Sequence, residues 1–278
     1  MLEYHYIFTF STQIPTVLCY IFTFMVNSMK HIFYESFKDT SGLIYAEKQK
    51  EFSGRVHFHR AFELAYILDG VAVYNVEGER VCAEAGDIVF IHCCYSHQSL
   101  PVSAHTKYVI AVPENITNDV AELFGKSTLC TVLSDKEFNR TLFGYFESLV
   151  KTKSFKILAK GYANVIFGSL AGHYERTEIR KKNKNITLVE EVLNYIDVHY
   201  MEPITLESIS EHFGYNKTYF SRVFNNHIAV SLNNYINMVR YNKFEELLKE
   251  NRSSNITDLA FKSGFTSMST FYRTRKMR

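Results

Sequence analysis

A short pattern occurs twice near the carboxyl end of this 278-residue chain, about 50 positions apart. The first copy reads Ile209-Ser210-Glu211-His212-Phe213-Gly214-Tyr215 and leads to Phe220-Ser221-Arg222. The second reads Leu259-Ala260-Phe261-Lys262-Ser263-Gly264-Phe265 and leads to Phe271-Tyr272-Arg273. A small residue four before a glycine (Ser210, Ala260) lets two helices cross closely, and the glycine supplies open backbone at the turn between them. The aromatic that follows, Phe220 or Phe271, points back into the packing. Each copy therefore reads as a helix-turn-helix, and two in tandem suit a protein that sets two helices against one face of DNA.

Local chemistry places the helices around these turns. Thr187 is a candidate cap for a helix with Leu188, Val192, Leu193 and Ile196 at three- and four-residue steps. Thr205 caps the next helix, whose stripe is Leu206, Ile209 and Phe213, and Asn216 caps the first recognition helix. With Phe220, Val223 and Phe224 turned inward, Lys217, Thr218, Ser221, Arg222 and Asn225 remain for solvent or DNA. A connecting helix is predicted over about Leu232 to Glu250. It spaces the two recognition helices by about one DNA turn, roughly 34 Å.

The stretch from about Ile186 to Arg273 resembles the DNA-binding domain of the AraC/XylS transcription regulators. Thr205–Ser210, Tyr219–Phe224, Asn234–Arg240 and above all Ile256–Phe265 carry the resemblance. It implies a sequence-specific regulator, in most cases an activator, that contacts promoter DNA and RNA polymerase and works as a homodimer. On the second recognition helix it points to Thr266, Ser267, Met268, Thr270 and Arg273. Relatives continue past the position of Arg273 with an apolar-Phe-Lys segment and a closing helix. Here Arg275 stands where an inward Phe is expected, so the second unit is expected to be truncated and under-packed.

Upstream, period and composition change. Between about Gly42 and Val112 short alternating segments such as Glu63–Leu68, Val71–Val76 and Asp87–Ile91 are punctuated by Asp69-Gly70, Glu77-Gly78 and Gly86. Such spacing reads as an all-β sandwich or barrel, and the family resemblance implies a small cupin-type barrel. His57, His59, Glu63 and, after a second segment, His97 resemble the cupin metal ligands. His57 and His59 share a strand face, and Glu63 keeps that parity unless a bulge intervenes. Three imidazoles and a carboxylate suit zinc, iron, nickel or manganese alike. In the second motif His92 takes the usual proline place and Cys94 the glycine place. Three readings of the set stay open: contact with an organic effector or a structural remnant, a bound divalent metal, and metal-dependent catalysis. The last lacks any acid or base beyond the ligands, so no catalytic residue is assigned and no cofactor is required.

The expected fold class is therefore α+β in two domains: a cupin-like barrel over 29–115 with trailing helices over 116–175, and an all-α tandem helix-turn-helix over 186–278. A basic linker, 176–185, separates them. From Arg176 onward there are 16 Lys and Arg against 11 Asp and Glu, whereas residues 1–175 hold 15 against 18. That asymmetry fits a DNA module joined to a different one. The helical stretch is where such regulators dimerise by resemblance, and packing on the barrel fits its pattern equally.

Residues 1–28 stand apart. Tyr6 to Met29 carries no Asp, Glu, Lys or Arg, yet a span needs about 20 mostly apolar residues and Pro15 and the polar Ser11–Gln13 interrupt it. The reading adopted is a natural start at Met29, with a membrane tether and a β extension as alternatives. Five cysteines, odd in number and without a CxxC, point to the cytoplasm. The chain reads as an effector-responsive regulator whose small-molecule ligand, a sugar among the candidates, binds in the barrel. A metal-dependent cupin enzyme and a truncated, non-binding partner of intact relatives are the rival readings.

Overall fold

The computed structural model describes residues 32–36, 38, 43–50, 54–100, 102–114, 116, 118–179, 183–228, 230–250 and 255–276. The amino-terminal extension, 1–28, lies outside the described residues, and so do Arg180–Lys182 of the basic stretch. The class is α+β, as expected. Strands β1 (Phe33–Tyr34), β2 (Tyr45–Lys50), β3 (His57–Phe58), β4 (Ala61–Val76), β5 (Glu79–Glu84), β6 (Ile88–Ile91), β7 (His97–Leu100) and β8 (His105–Pro113) come first. Helix α1 (Asn118–Phe124), short strands β9 (Ser127–Thr128) and β10 (Val132–Leu133), helices α2 (Lys136–Thr152) and α3 (Lys156–His173), and strand β11 (Thr177–Glu178) follow. The carboxyl-terminal half holds α4 (Lys184–His199), α5 (Leu206–His212), α6 (Lys217–Ile228), α7 (Leu232–Glu250), α8 (Ile256–Lys262) and α9 (Met268–Lys276). Among the described residues no helix is long and apolar enough to cross a membrane.

Two expected strands prove to be one. The Asp69-Gly70 break is a bulge inside β4, where the register to β8 shifts between Ile67 and Asp69. Gly70 has φ +73, and a Cβ there would lie 2.1 Å from the Ala104 carbonyl oxygen, so only glycine lets the strand bend against β8. The bend makes β4 the shared member of two sheets. Its first half pairs with β6 and β8, its second with β5 and β7, all antiparallel. Outer positions go to β2 on β8, β3 on β7, β1 on β3 and β10 on β6. These pairings leave edges among the described residues, so the expected barrel is corrected to an open, cupin-like sheet.

Helices α1 to α3 cover one face of that sheet. Phe124, Phe146, Ile166, Phe167 and Leu170 are buried there against Phe62, Phe90 and Ile110. Burying side chains of this size is worth roughly 1.5–3 kcal/mol each. The connection after α3 is more ordered than a solvated linker, since β11 pairs with β9. Helix α4 then begins earlier than Thr187. Asn183 caps it by accepting from Asn185 N–H, which leaves Thr187 inside the first turn donating to the Asn183 carbonyl.

The duplicated pattern is a duplicated helix terminus. In unit one the Tyr215 N–H reaches Ser210 O and the Gly214 N–H reaches Glu211 O. In unit two Phe265 N–H reaches Ala260 O and Gly264 N–H reaches Phe261 O. This is the Schellman arrangement, whose left-handed residue lies four past the position that accepts the longer bond. Gly214 and Gly264 have φ +72 and +91. The small residues Ser210 and Ala260 are both buried. Thr205 and Ser208 form a reciprocal capping box on α5.

The two units are supported unequally. The core of unit one contains eighteen buried residues, among them Tyr34, Phe58 and Cys94 from the amino-terminal half, whereas that of unit two contains six. Phe271 is nevertheless fully buried against Tyr241, Phe244 and Phe265. The inward position after it is Thr274, and Arg275 is exposed, which corrects the expectation that Arg275 replaces an inward side chain. A helical step of three from Phe271 carries position 274 to the buried face, and Thr274 satisfies its hydroxyl on the Thr270 carbonyl.

The two turn glycines should respond differently to substitution. A Cβ at Gly214 meets nothing within 4 Å, whereas one at Gly264 would meet Tyr200 O at 3.0 Å and Met201 Cα at 3.1 Å. Gly214→Ala should cost about 1 kcal/mol from the left-handed backbone alone, and Gly264→Ala roughly 2–3 kcal/mol through added backbone displacement. Urea denaturation of both variants, read by helix content, checks the order.

Candidate functional site

Helix α6 presents the outward set expected of a reading helix. Asn216 caps it, accepting from Tyr219 N–H at 2.8 Å. Phe220, Val223, Phe224 and Ile228 are buried, while Lys217, Thr218, Arg222 and Asn225 are exposed and Ser221 is half-buried. Lys217 is paired with Glu207, Asn225 donates to Ser221 Oγ at 3.2 Å, and the Arg222 guanidinium lies 5.5 Å from the centre of the Tyr219 ring. On unit two Thr266 and Arg273 are exposed. Ser267 caps α9 by accepting from Thr270 N–H and itself donates to Thr270 Oγ1, and Met268 leans on the core. Long exposed cations thus stand on both helices: Lys217 and Arg222 on α6, Arg273, Arg275 and Lys276 on α9.

The second site lies in the sheet. The side chains of His57, His59 and His97 converge, with imidazole nitrogens within 4.8 Å of one another. Strands β3 and β7 bring His57 opposite His97, and β4 brings Glu63 beneath them. β3 ends before His59, yet Glu63 still reaches His59 Nε2 at 3.1 Å and lies 3.9 Å from His97 Nε2. Each Nδ1 is fixed by a backbone carbonyl: Arg55 O for His57, Ala61 O for His59 and Tyr95 O for His97. That leaves every Nε2 turned toward the centre.

A lysine absent from the expected set sits at that centre. Lys38 Nζ is 2.6 Å from Glu63, 2.8 Å from Glu35 and 3.4 Å from His59 Nε2. Burial alone would push its proton off, but the two carboxylates outweigh burial and raise its pKa. Burial alone would likewise raise the Glu63 carboxyl, and the Lys38 ammonium with His59 holds it well below the usual range instead. Burial lowers the pKa of His57 and His97, against the pull of Glu63 and, at His57, of Glu35, with the Lys38 ammonium adding to the lowering. The donor types fit a divalent ion, but a tethered ammonium already stands among them. A metal does not fit beside Lys38, because a second cation would share its carboxylate at short range.

Around this group opens a cavity of about 370 Å³, lined by Glu35, Lys38, Tyr45, Tyr74, Ser99 and Lys107 among others. Lys107 is the other residue not anticipated. Its Nζ donates to Tyr74 Oη at 2.7 Å and Ser99 Oγ at 3.2 Å, and among the described residues no ion pair neutralises it. Burial lowers its pKa to about 8. One signal for it was present: a lone lysine within the otherwise mostly apolar run Tyr108–Val112 and its flank. Lys38 had no such signal, since it lies outside any periodic strand.

The pocket strand has two faces. His57 lines the cavity and His59 contacts Glu63 of that lining, while Phe58 between them is fully buried in the core of the first helix-turn-helix. The Phe58 ring lies 6.1 Å from His227 on α6 and 5.3 Å from Tyr34, which in turn lies 6.4 Å from Tyr235 on α7. Arg60, just beyond, donates to Asn194 and Asp197 on α4 at 2.9 and 2.7 Å.

Comparison with known proteins follows the same division. Residues 41–159 match the AraC-like ligand binding domain, and residues 209–278 match a helix-turn-helix domain. A transcriptional regulator of Bacillus subtilis, YdeC, is 25% identical over 240 residues, covering 78% of this chain and 80% of that one. A Staphylococcus aureus regulator, SACOL0084, is 31% identical over 88 residues, so the match spans 32% of this chain and only 12% of the longer relative. A solved structure of ToxT from Vibrio cholerae is 14% identical, with 84% of this chain and 94% of that one covered and a TM-score of 0.38.

The two buried lysines should have opposite effects on stability. Lys38→Met strands Glu63 and should cost about 3–5 kcal/mol, most of it recovered in Lys38→Met/Glu63→Gln. Lys107 has a depressed folded pKa, so the unfolded chain binds more protons between about pH 8 and 10.5, and stability contributed by this group rises across that window. Lys107→Met should flatten that slope and stabilise the protein near neutrality by up to about 3 kcal/mol. Urea titrations across pH measure both effects.

Proposed function

The chain belongs to the AraC-type transcription regulators, with a ligand-binding domain ahead of a DNA-binding helix-turn-helix domain, and from that premise we propose that the cavity around Lys38 and Lys107 binds its effector. The observation that carries this reading is the two-faced strand β3. An occupant touching His57 presses on the strand whose other side, through Phe58, forms part of the unit-one core. An effector shifts such an equilibrium only by binding two arrangements unequally, and this contact is where the two would differ.

The lining favours a small polar ligand. Imidazole Nε2 atoms, Tyr74, Ser99 and two ammonium groups offer hydrogen bonds all round a space of monosaccharide size, so a sugar or its acid is the class we favour. Lys107 is the group available to a carboxylate. On the DNA side, Arg222, Thr218, Asn225 and Ser221 on α6, with Asn216 and Lys217 at its start, and Arg273, Thr266 and Thr270 on and before α9 are the contacts we assign. Ser267 and Met268 act mainly by fixing that second helix. The exposed Phe155, Ile157 and Leu158 at the start of α3 are assigned to a second copy, giving a dimer. Contact with RNA polymerase, action as an activator and residence in the cytoplasm, where promoter DNA lies, complete the reading.

Fluorescence anisotropy with the adjacent promoter tests the DNA side. Arg222→Ala should lower specific affinity by roughly 1–3 kcal/mol if it reads a base, or reduce the salt slope by about one if it meets phosphate; unchanged affinity and slope would remove the assignment. A thermal-shift panel of sugars and sugar acids tests the pocket. A hit should vanish in Lys107→Met, whereas in Phe58→Leu the ligand should still bind but no longer change DNA affinity. A hit that still modulates DNA in Phe58→Leu sinks the proposed route.

A further inference from the structure

Cys93 and Cys94 lie in the loop between β6 and β7, and Glu190 projects from α4 of the DNA-binding half. Both thiol sulfurs and a Glu190 carboxylate oxygen lie within 4.8 Å of one another. Both cysteines are buried and reduced, and Glu190 is half-buried. A second carboxylate is close by, with Cys93 Sγ donating to Glu114 Oε1 at 3.0 Å. The dipeptide straddles the two cores: Cys93 belongs to the one under α1–α3, Cys94 to the one shared with α4, α6 and α7.

The backbone at Cys94 decides which substitution the position tolerates. Cys94 has φ +60, one of two non-glycine residues in the left-handed region among the described residues. Both sit in turns: Glu77 in the β4–β5 hairpin, and Cys94 in one closed by the Tyr95 N–H on the His92 carbonyl at 3.1 Å. At Cys94 glycine would serve without strain, and the thiol is held there at a cost of about 1–2 kcal/mol. The Cys94 N–H donates to the His59 carbonyl at 2.8 Å, which locks the turn. Two buried thiols within ligand reach of a half-buried carboxylate, brought together from a loop of one half and a helix of the other, are a donor set suited to a metal.

We propose that Cys93, Cys94 and Glu190 form a binding site for a borderline divalent cation of the zinc class, bridging the ligand-binding half to helix α4. Two thiolates with a carboxylate favour zinc over hard cations such as magnesium and over copper(I), which prefers an all-sulfur set. A tetrahedral ion with Zn–S about 2.3 Å and Zn–O about 2.0 Å holds its ligand atoms about 3.5–4 Å apart, within reach of side-chain rotation here. Water completes the fourth position, and Glu114, which accepts from Cys93 in the metal-free state, is freed when that thiol is deprotonated. Binding replaces two S–H bonds by two S–Zn bonds and releases two protons, with no change of oxidation state. The site is separate from the imidazole cavity, where Lys38 already supplies the cation.

The full-length chain, reduced and stripped with a chelator, is titrated with cadmium as a spectroscopic stand-in and with zinc for affinity. One equivalent of thiolate-to-cadmium charge-transfer absorption and release of about two protons per ion are expected. Cys94→Gly suits the left-handed backbone, so the metal-free variant should melt at or above the parent temperature. It should nevertheless lose the band and more than about 100-fold in zinc affinity, above the 10–100-fold typical of losing an outer-shell partner. Cys93→Ser provides a second loss should Cys94→Gly melt lower. Glu190→Gln should weaken zinc at least about tenfold, and zinc should slow amide exchange in α4 of the parent but not of this variant. His57→Ala/His97→Ala should bind as the parent does. Absence of the band in the parent, its survival in Cys94→Gly, its loss in the histidine variant, or unchanged α4 exchange with zinc bound would each overturn the proposal.

Discussion

Strand β3 is two residues long, and the relation between the two halves of the molecule depends on it. Because successive side chains of an extended chain point to opposite sides, His57 belongs to a polar cavity and Phe58 to an apolar core made mostly by helices α4, α6 and α7. No hinge or lever is needed to connect the sites. A shift that repositions the imidazoles moves a fully buried ring packed against His227 and Tyr34, and cores of this density have few intermediate arrangements. Arg60 adds a polar fastening to α4 one residue past His59. Its exposed partner atoms make that pair worth less than the aromatic contact.

Buried charge determines what the cavity tolerates. Lys38 is satisfied by two carboxylates, with the His59 imidazole alongside, so its removal leaves uncompensated charge inside the protein. Lys107 has two hydroxyl partners and no paired carboxylate among the described residues, so its ammonium is the less comfortable of the two. An incoming hydroxyl or carboxylate therefore gains more at Lys107 than at Lys38. The same asymmetry disfavours a metal, for the carboxylate it would need is already engaged.

Much of this was legible because it rests on fixed offsets. A Schellman terminus demands its glycine four residues past the accepting carbonyl, so Ser210/Gly214 and Ala260/Gly264 announced the turns without a structure. Period two placed His57 with His59, and Glu63 joined them even across the break after β3. What could not be read depended on contacts distant in sequence. Lys38 reaches Glu63 across 25 positions from a segment with no periodicity. The bend in β4 looked like a turn between strands because Asp69-Gly70 serves both purposes, and Asn183 displaced Thr187 because either residue caps a helix well. Cys94 was noticed in a glycine place, but its left-handed backbone and its nearness to Glu190 emerged only from the fold.

The unequal support of the two helix-turn-helix units bears on how a signal would reach DNA. Unit one shares its core with Tyr34, Phe58 and Cys94, so its reading helix is fastened directly to the ligand-binding half. Unit two packs Phe271 against α7, and its ties to that half run through the connecting helix. Arg240 of α7 strengthens the route by donating to the Tyr200 and Glu202 carbonyls at 2.7 and 2.9 Å, beside Gly264. Two linked readers bind far more tightly than one only while their spacing matches the DNA. On the proposed route, a small displacement at Phe58 would change affinity less by altering either helix than by altering their relative placement. A tenfold effect needs only about 1.4 kcal/mol of difference between arrangements, well within what one buried aromatic contact can supply.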